Sequence, residues 1–127
     1  MRYLLDTHVA IWHLEDSPHL PSSTKRIIDG NVGRLCLCSV SLWEIAIKVN
    51  LGKLKLRFPF EEFLEKVRNS DIKLLQIRDE YLKRLSDLPS IHKDPFDRLL
   101  IATALTENLT IITADENIHK YDVQWIW

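Results

Sequence analysis

The sequence predicts an α/β fold, a parallel β-sheet with helices packed on both of its faces. Three observations carry the prediction. Short apolar runs with strand character (YLL, RLCLCSV, IKLLQI and LTIIT) recur along the chain, separated by helix-compatible segments. Helix-capping and breaking residues stand at the boundaries between them. Strands that alternate with helices imply parallel pairing under helical layers.

From the N-terminus, Arg2 to Leu5 reads as a short strand that ends at Asp6. Thr7 to Leu14 is helix-compatible, and Pro18 and Pro21 interrupt the chain after it. Pro21 opens a second helix, with Ser22, Ser23 and Thr24 near its start and Gly30 as its stop. Arg34 to Val40 suits a buried strand, and Ser41 begins a helix, SLWEIAIKVNL, that Gly52 terminates. Lys53 to Phe58 alternates charged and apolar residues until Pro59 stops it. Phe60 to Asn69 is an amphipathic helix, Ile72 to Ile77 a strand, and Asp79 to Leu88 a further helix. A loop comes after Pro89, and Asp94-Pro95 caps a helix reaching about Glu107. Leu109 to Thr113 and Val123 to Trp127 are the last strands.

A chain of 127 residues is sized for one domain, expected to span residues 1–127. Its 46% apolar and 28% charged content is that of an ordinary globular protein, able to fill a core without disulfides or a structural metal. The net charge of −1 gives no overall pull toward nucleic acid, so any such binding needs a local basic patch. Cys36 and Cys38 lie two apart on a strand, share a face, and are poorly placed for a mutual disulfide. Two buried reduced thiols are expected. The N-terminus MRYLLDTH has no long apolar h-region, and no stretch approaches the roughly 20 apolar residues of a membrane span. A cytoplasmic location is expected. Internal repeats, low-complexity stretches and linkers are absent from the sequence.

In open parallel sheets, active sites form beyond the carboxyl ends of the strands. That rule singles out several acids. Asp6 follows YLL directly, and Asp115 follows IIT by two residues. Glu44 lies one turn into the helix after RLCLCSV, while Asp94 and Asp97 start the helix that leads into LTIIT. Each has a structural alternative. Asp6 can cap the helix beginning at Thr7, and Asp94 before Pro95 is a strong N-cap. Asp97 in the first helical turn favours the helix dipole, although Leu100 and Ile101 on its side lead into the core. Asp115 can belong to an exposed ADEN turn. Glu44 with Lys48 is a common i,i+4 surface pair, but Ser41, Glu44 and Lys48 form a narrow polar stripe on an otherwise apolar helix. Such a stripe faces a cleft.

Carboxylates gathered at one rim must take up protons or share a cation. Oxygen-only ligands select Mg²⁺ or Mn²⁺, and such an ion serves phosphodiester cleavage by activating water and offsetting phosphate charge. Two basic clusters, Lys48, Lys53, Lys55 and Arg57, and His92, Lys93 and Arg98, could meet phosphates, although the ordinary reading of any single lysine is a solvated surface charge. The five histidines lack close helical pairing, so a zinc site is not expected. The four tryptophans suit core or interface positions better than base stacking.

Four segments, LLDTH at 4–8, SLWEIAIK at 41–48, DPFDRLLIATAL at 94–105 and LTIITAD at 109–115, stand in an order and spacing that resemble the PIN (PilT N-terminal) domain family, especially its VapC-like toxins. The resemblance runs from one end of the chain to the other. It implies a three-layer α/β/α sandwich with a central, mostly parallel sheet and an acidic pocket for Mg²⁺ or Mn²⁺. The activity it implies is that of an endoribonuclease, the toxin of a type II toxin–antitoxin pair, which hydrolyses RNA to a 5′-phosphate and a 3′-hydroxyl. The family's acidic quartet falls on Asp6, Glu44, Asp97 and Asp115. Asp6 and Asp97 would ligate the metal directly. Glu44 would orient or deprotonate the attacking water, and Asp115 would act directly or through water. Thr7 and Thr113 would supply supporting hydroxyls, and Asp94 remains a helix cap outside the set. RNA substrate, a cognate antitoxin over the pocket and a homodimer complete what the resemblance implies.

Two other readings differ in function. A receiver-like signalling domain also has a parallel sheet and an acidic Mg²⁺ pocket, but neither RLCLCSV nor IKLLQI is followed directly by the phosphoacceptor Asp it requires. A PIN-like binding module without nuclease activity is the other, and the complete quartet argues against it.

Overall fold

A computed structural model describes residues 1–127. Five strands, β1 (Tyr3–Leu5), β2 (Leu35–Cys38), β3 (Lys73–Leu75), β4 (Thr110–Ile112) and β5 (Trp125–Ile126), form one sheet in the order β3-β2-β1-β4-β5. Every pairing is parallel. The expected alternation is therefore realised, with helices α1 (Thr7–Leu14), α2 (Ser22–Asp29), α3 (Ser39–Asn50), α4 (Phe60–Asn69), α5 (Asp79–Ser86), α6 (Pro95–Glu107) and α7 (Glu116–His119) making the connections.

The strands are short and buried, and alternate side chains feed two separate cores. Leu4, Cys36, Cys38, Leu75 and Ile111 point to one face, where α5, α6 and α7 cover them. Leu5, Leu35, Leu37 and Ile112 point to the other, against α1 to α4. These are the three layers of the sandwich. Cys36 and Cys38 do share a face and are free and buried. Burial pushes the Cys38 thiol up to about 11, which leaves it inert as a nucleophile.

Three local outcomes differ from the sequence reading. β2 ends at Cys38 rather than Val40, because its neighbour β3 has only three residues to pair with it, the last at Cys38–Leu75, and α3 consequently begins at Ser39, two residues early. The ADEN segment is not a simple turn: Asp115 caps the single-turn helix α7. A short 3-10 turn at Val32–Arg34, not anticipated, leads into β2.

Helix ends otherwise obey their cap residues. After α3, Gly52 adopts φ +71°, and the Gly52 and Lys53 amides donate to the Val49 and Lys48 carbonyls, a Schellman closure. Lys53 to Phe58 never joins the sheet. Leu54, Leu56 and Phe58 pack onto the α1–α4 core, while Lys53, Lys55 and Arg57 face outward. Glu15, at the end of α1, anchors this segment by accepting the Arg57 amide (2.7 Å), and the Arg57 guanidinium donates to the Glu15 carbonyl (2.7 Å).

The strand order positions the site. β1 connects to β2 on one side, while β4 arrives on its other side, so the direction of winding reverses at β1. The crevice at such a reversal lies beyond the carboxyl ends of the strands. Asp6 after β1, α3 after β2, and Thr113 to Asp115 after β4 all open onto it. No helix is long and apolar enough to cross a membrane.

Candidate active site

Asp6 continues the β1 ladder through its amide, which donates to the Ile112 carbonyl, and then caps α1. Its Oδ1 accepts the Thr7 amide (2.7 Å) and its Oδ2 accepts the Thr113 hydroxyl (2.7 Å). Capping and site roles coincide in one carboxylate. The Thr113 oxygen in turn accepts the Asp115 amide (3.0 Å), and Asp115 Oδ1 caps α7 through the Asn117 amide (2.8 Å). One hydroxyl thus ties Asp6 to Asp115 across adjacent strand ends.

Glu44 reaches the same rim from α3 and is 4% exposed. The Thr7 hydroxyl lies 2.8 Å from its Oε1 and 2.9 Å from Ser41 Oγ. With one proton to give, Thr7 donates to the carboxylate and accepts from Ser41. The Lys48 ammonium donates to Glu44 Oε2 at 2.6 Å. Partial burial opposes the charge on Lys48, but Glu44 outweighs it, with help from Asp94 and Asp97, and the ammonium is held above its ordinary value. The polar stripe of α3 is therefore a hydrogen-bonded unit whose Ser41 and Glu44 are buried against the start of α1.

Asp97 arrives on the first turn of α6. Asp94 fixes that turn, its Oδ1 accepting the Phe96 (2.9 Å) and Asp97 (3.1 Å) amides behind Pro95. Asp94 is the cap the sequence indicated. Burial drives the Asp97 carboxyl up to about 8, reinforced by the charges of Asp6, Asp94, Asp115 and Glu44 in that order. Asp6 is raised too, by burial above all, with the hydrogen bonds from Thr113 and Thr7 pulling against it. All four candidate acids thus share one field, and Asp6 is the charge that acts most strongly on Asp97.

The donor set fits a hard divalent cation. It consists of carboxylate oxygens, and Asp97 Oδ1 and Asp115 Oδ2 accept no hydrogen bond from the protein. No three of the four quartet acids bring oxygens within 4.8 Å of one another. A cation held directly by two of them and reaching the others through water suits that spread, since Mg²⁺ keeps several waters. The one tighter triple is His92, Asp94 and Asp97, with Nε2 of His92 3.2 Å from Asp97 Oδ2. That contact was not foreseen, although His92 stood beside the site in sequence.

The two basic clusters divide. Lys48 is committed to Glu44. Arg98 turns inward and donates to the Pro89 and His92 carbonyls and to Tyr121 Oη, latching the 89–94 loop. Lys53, Lys55, Arg57 and Lys93 stay exposed. A cleft of about 330 Å³, lined by Asp6, His8, Val9, Trp12, Ala114 and Asp115, opens directly from the acidic rim. His8 and Trp12 were not among the expected site residues. Their i+2 and i+6 offsets from Asp6 gave no periodic signal.

The PIN domain family profile matches residues 3–124. Ribonuclease VapC22 of Mycobacterium tuberculosis is 25% identical over 119 residues, covering 93% of this chain and 90% of that protein. A DNA-bound VapBC structure from Salmonella typhimurium superposes with a TM-score of 0.74 at 16% identity, covering 99% of this chain and 97% of that one. A toxin–antitoxin complex from Klebsiella pneumoniae superposes at 0.69 and 13% identity, covering 98% and 96%.

Proposed function

This chain belongs to the PIN domain family, and on that premise we propose that it is a divalent-metal-dependent endoribonuclease, the toxin of a toxin–antitoxin pair. The observation that carries the reading is the gathering of Asp6, Glu44, Asp97 and Asp115 at the winding reversal of the sheet, where burial first, and then the charges of Asp6, Asp94, Asp115 and Glu44, raise the Asp97 carboxyl to about 8. A fold that only binds a partner has no need to gather unneutralised charge there. The similarity to a ribonuclease supports RNA as the substrate. The similarity to a toxin–antitoxin complex supports a cognate antitoxin as partner. A cytoplasmic homodimer completes the proposal.

Asp6 and Asp97 would hold Mg²⁺ or Mn²⁺ directly, with Asp115 and Glu44 acting directly or through water. An ion held there would supply an acidified water and compensation for phosphodiester charge. The chain's own groups do the rest. Glu44, oriented by Thr7 on Oε1 and Lys48 on Oε2, accepts the proton of the attacking water. Thr113 keeps Asp6 Oδ2 aimed at the rim, and Asp94 holds the α6 turn that presents Asp97.

The test is direct. Purified protein freed of any partner is incubated with bulk RNA, with and without Mg²⁺ or Mn²⁺, beside Asp97→Asn. Cleavage by the wild type alone, only with the ion and yielding 5′-phosphate ends, is the expected result. Equal survival of the RNA with both proteins at several ion concentrations would end the enzyme reading.

A further inference from the structure

The acidic cleft does not stop at the quartet. Beyond His8 and Trp12 it continues into a larger groove of about 490 Å³, whose far wall carries Lys55 and Arg57. His8 and Trp12 line both spaces, so they form the passage between the carboxylates and the basic segment. The groove has the two chemical halves that a single strand of nucleic acid needs, ring faces and cations.

The ring faces are organised. Trp12 sits half-buried with the His8 ring 6.0 Å away on one side and the His19 ring 5.7 Å away on another. Trp127 packs against it at 6.0 Å. Both imidazoles are exposed. Trp12 therefore fixes two outward-facing rings in place, and the gaps between rings are too narrow and too tilted to admit a base. A base must stack on an open outer face.

The cations are organised as well. Lys53, Lys55 and Arg57 are exposed in the segment after α3, alternating with Leu54, Leu56 and Phe58, which are partly buried against the α1–α4 core. The Glu15 carboxylate, which also lines the groove, accepts the Arg57 amide. Lys55 makes no ion pair within the protein and is free for a phosphate.

We infer that this groove, from Asp6 and Asp115 past His8 and Trp12 to Lys55 and Arg57, binds the single-stranded RNA on one side of the cleaved phosphate. The exposed His8 ring, buttressed by Trp12, stacks the base nearest the cut, and Lys55 and Arg57 meet the phosphates further along. The inference rests on the ribonuclease reading and assigns the path of the strand to this chain's own residues. A duplex cannot present a splayed base to His8.

The test measures binding and cleavage separately. Binding uses fluorescence anisotropy of a fluorescein-labelled single-stranded oligoribonucleotide, in an Asp97→Asn background with Mg²⁺ so that the probe stays uncut. His8→Ala is expected to weaken binding roughly five- to hundred-fold, the range for one lost stacking contact. His8→Phe, which keeps a ring, is expected to restore most of it. Lys55→Ala should lower the slope of log affinity against log salt by about 0.7, one counterion's worth for a single strand. Lys83→Ala on α5, in the opposite layer, should change neither quantity.

The inference is overturned if the groove variants bind like their parent, if a duplex of the same sequence competes equally well, or if the variants keep RNA but lose the antitoxin. Cleavage in the wild-type background separates the two claims. Metal-dependent cutting with unaltered binding in the groove variants leaves a nuclease whose track lies elsewhere. No cutting, with binding lost in those variants, leaves the track and removes the nuclease.

Discussion

At Asp97 the chain keeps a carboxylate only 8% exposed among four other acids. In the unfolded chain the group titrates near 3.8, whereas in the fold it holds its proton up to about 8. The fold therefore binds this proton more tightly, and the stability it contributes is complete below about pH 4 and lost as pH rises to about 8. Metal-free protein should lose thermal stability across that window. Burial lowers the His13 ring and acts in the opposite sense, with stability lost as pH falls below its ordinary 6.5, so the comparison that isolates Asp97 is with Asp97→Asn. That variant is expected to be more stable than the wild type at pH 8 by about 0.5–2 kcal/mol, to converge with it near pH 4, and to be inactive. Melting curves across the range decide it; parallel curves would mean that the carboxylate is not strained. Lys48 makes the complementary case. Replacing it with Met leaves Glu44, 5% exposed at its side chain, without its counter-ion. A loss of about 1–3 kcal/mol in urea unfolding is expected, together with lower activity. An unchanged midpoint would show that Thr7 alone suffices to hold Glu44.

Elements place these residues, and the boundaries of the longer helices were legible where a cap or breaking residue was the cause. Asp94-Pro95 before α6, Gly52 after α3 and Pro59 before α4 announce themselves because their side chains or φ values fit few other places. α7 did not, since four residues carry no helical period, and Asp115 looked like part of a turn while being the cap. The β2–α3 junction was misplaced by two residues because strand length depends on β3, a partner far along the chain. Capping at α6 has a functional edge. Asp94→Ala removes the oxygen that accepts two amides at the turn that aims Asp97, so a stability loss of about 0.5–2 kcal/mol is expected, with a larger proportional fall in kcat than in apparent substrate affinity. Gly52→Ala, by contrast, strains a left-handed position far from the acids and should cost about 1 kcal/mol with turnover unchanged. Kinetics and unfolding of the pair separate a cap that serves the site from one that serves only its helix.

For the whole molecule, the acids of the rim were legible because each follows a strand or opens a helix at one end of a parallel sheet. Their hydroxyl partners were partly so. Which cations face solvent was only partly legible: the i,i+4 spacing shows the Lys48–Glu44 pair but not its burial, and Arg98 is claimed by the 89–94 loop through contacts that no spacing reveals. The groove past His8 and Trp12 was illegible for the same reason, being assembled from α1, the loop after it and the 53–58 segment. What unites the molecule is that folding brings like charges together from Asp6 to Asp115, at a standing electrostatic cost. A divalent cation that binds only the folded rim should return that cost as stability. At a hundredfold excess over its Kd the linkage is about 2.7 kcal/mol, a rise in Tm of roughly 10 °C for a chain of this size. The rise should grow between pH 6 and 8 as Asp97 gives up its proton to make room for the ion, should vanish with chelator, and should be absent in an Asp6→Asn, Asp97→Asn double variant. Sodium chloride at matched ionic strength should not reproduce it, because screening relieves exposed charges far more than buried ones. Equal shifts with Mg²⁺ and with sodium would mean that the rim merely tolerates its charge and holds no ion.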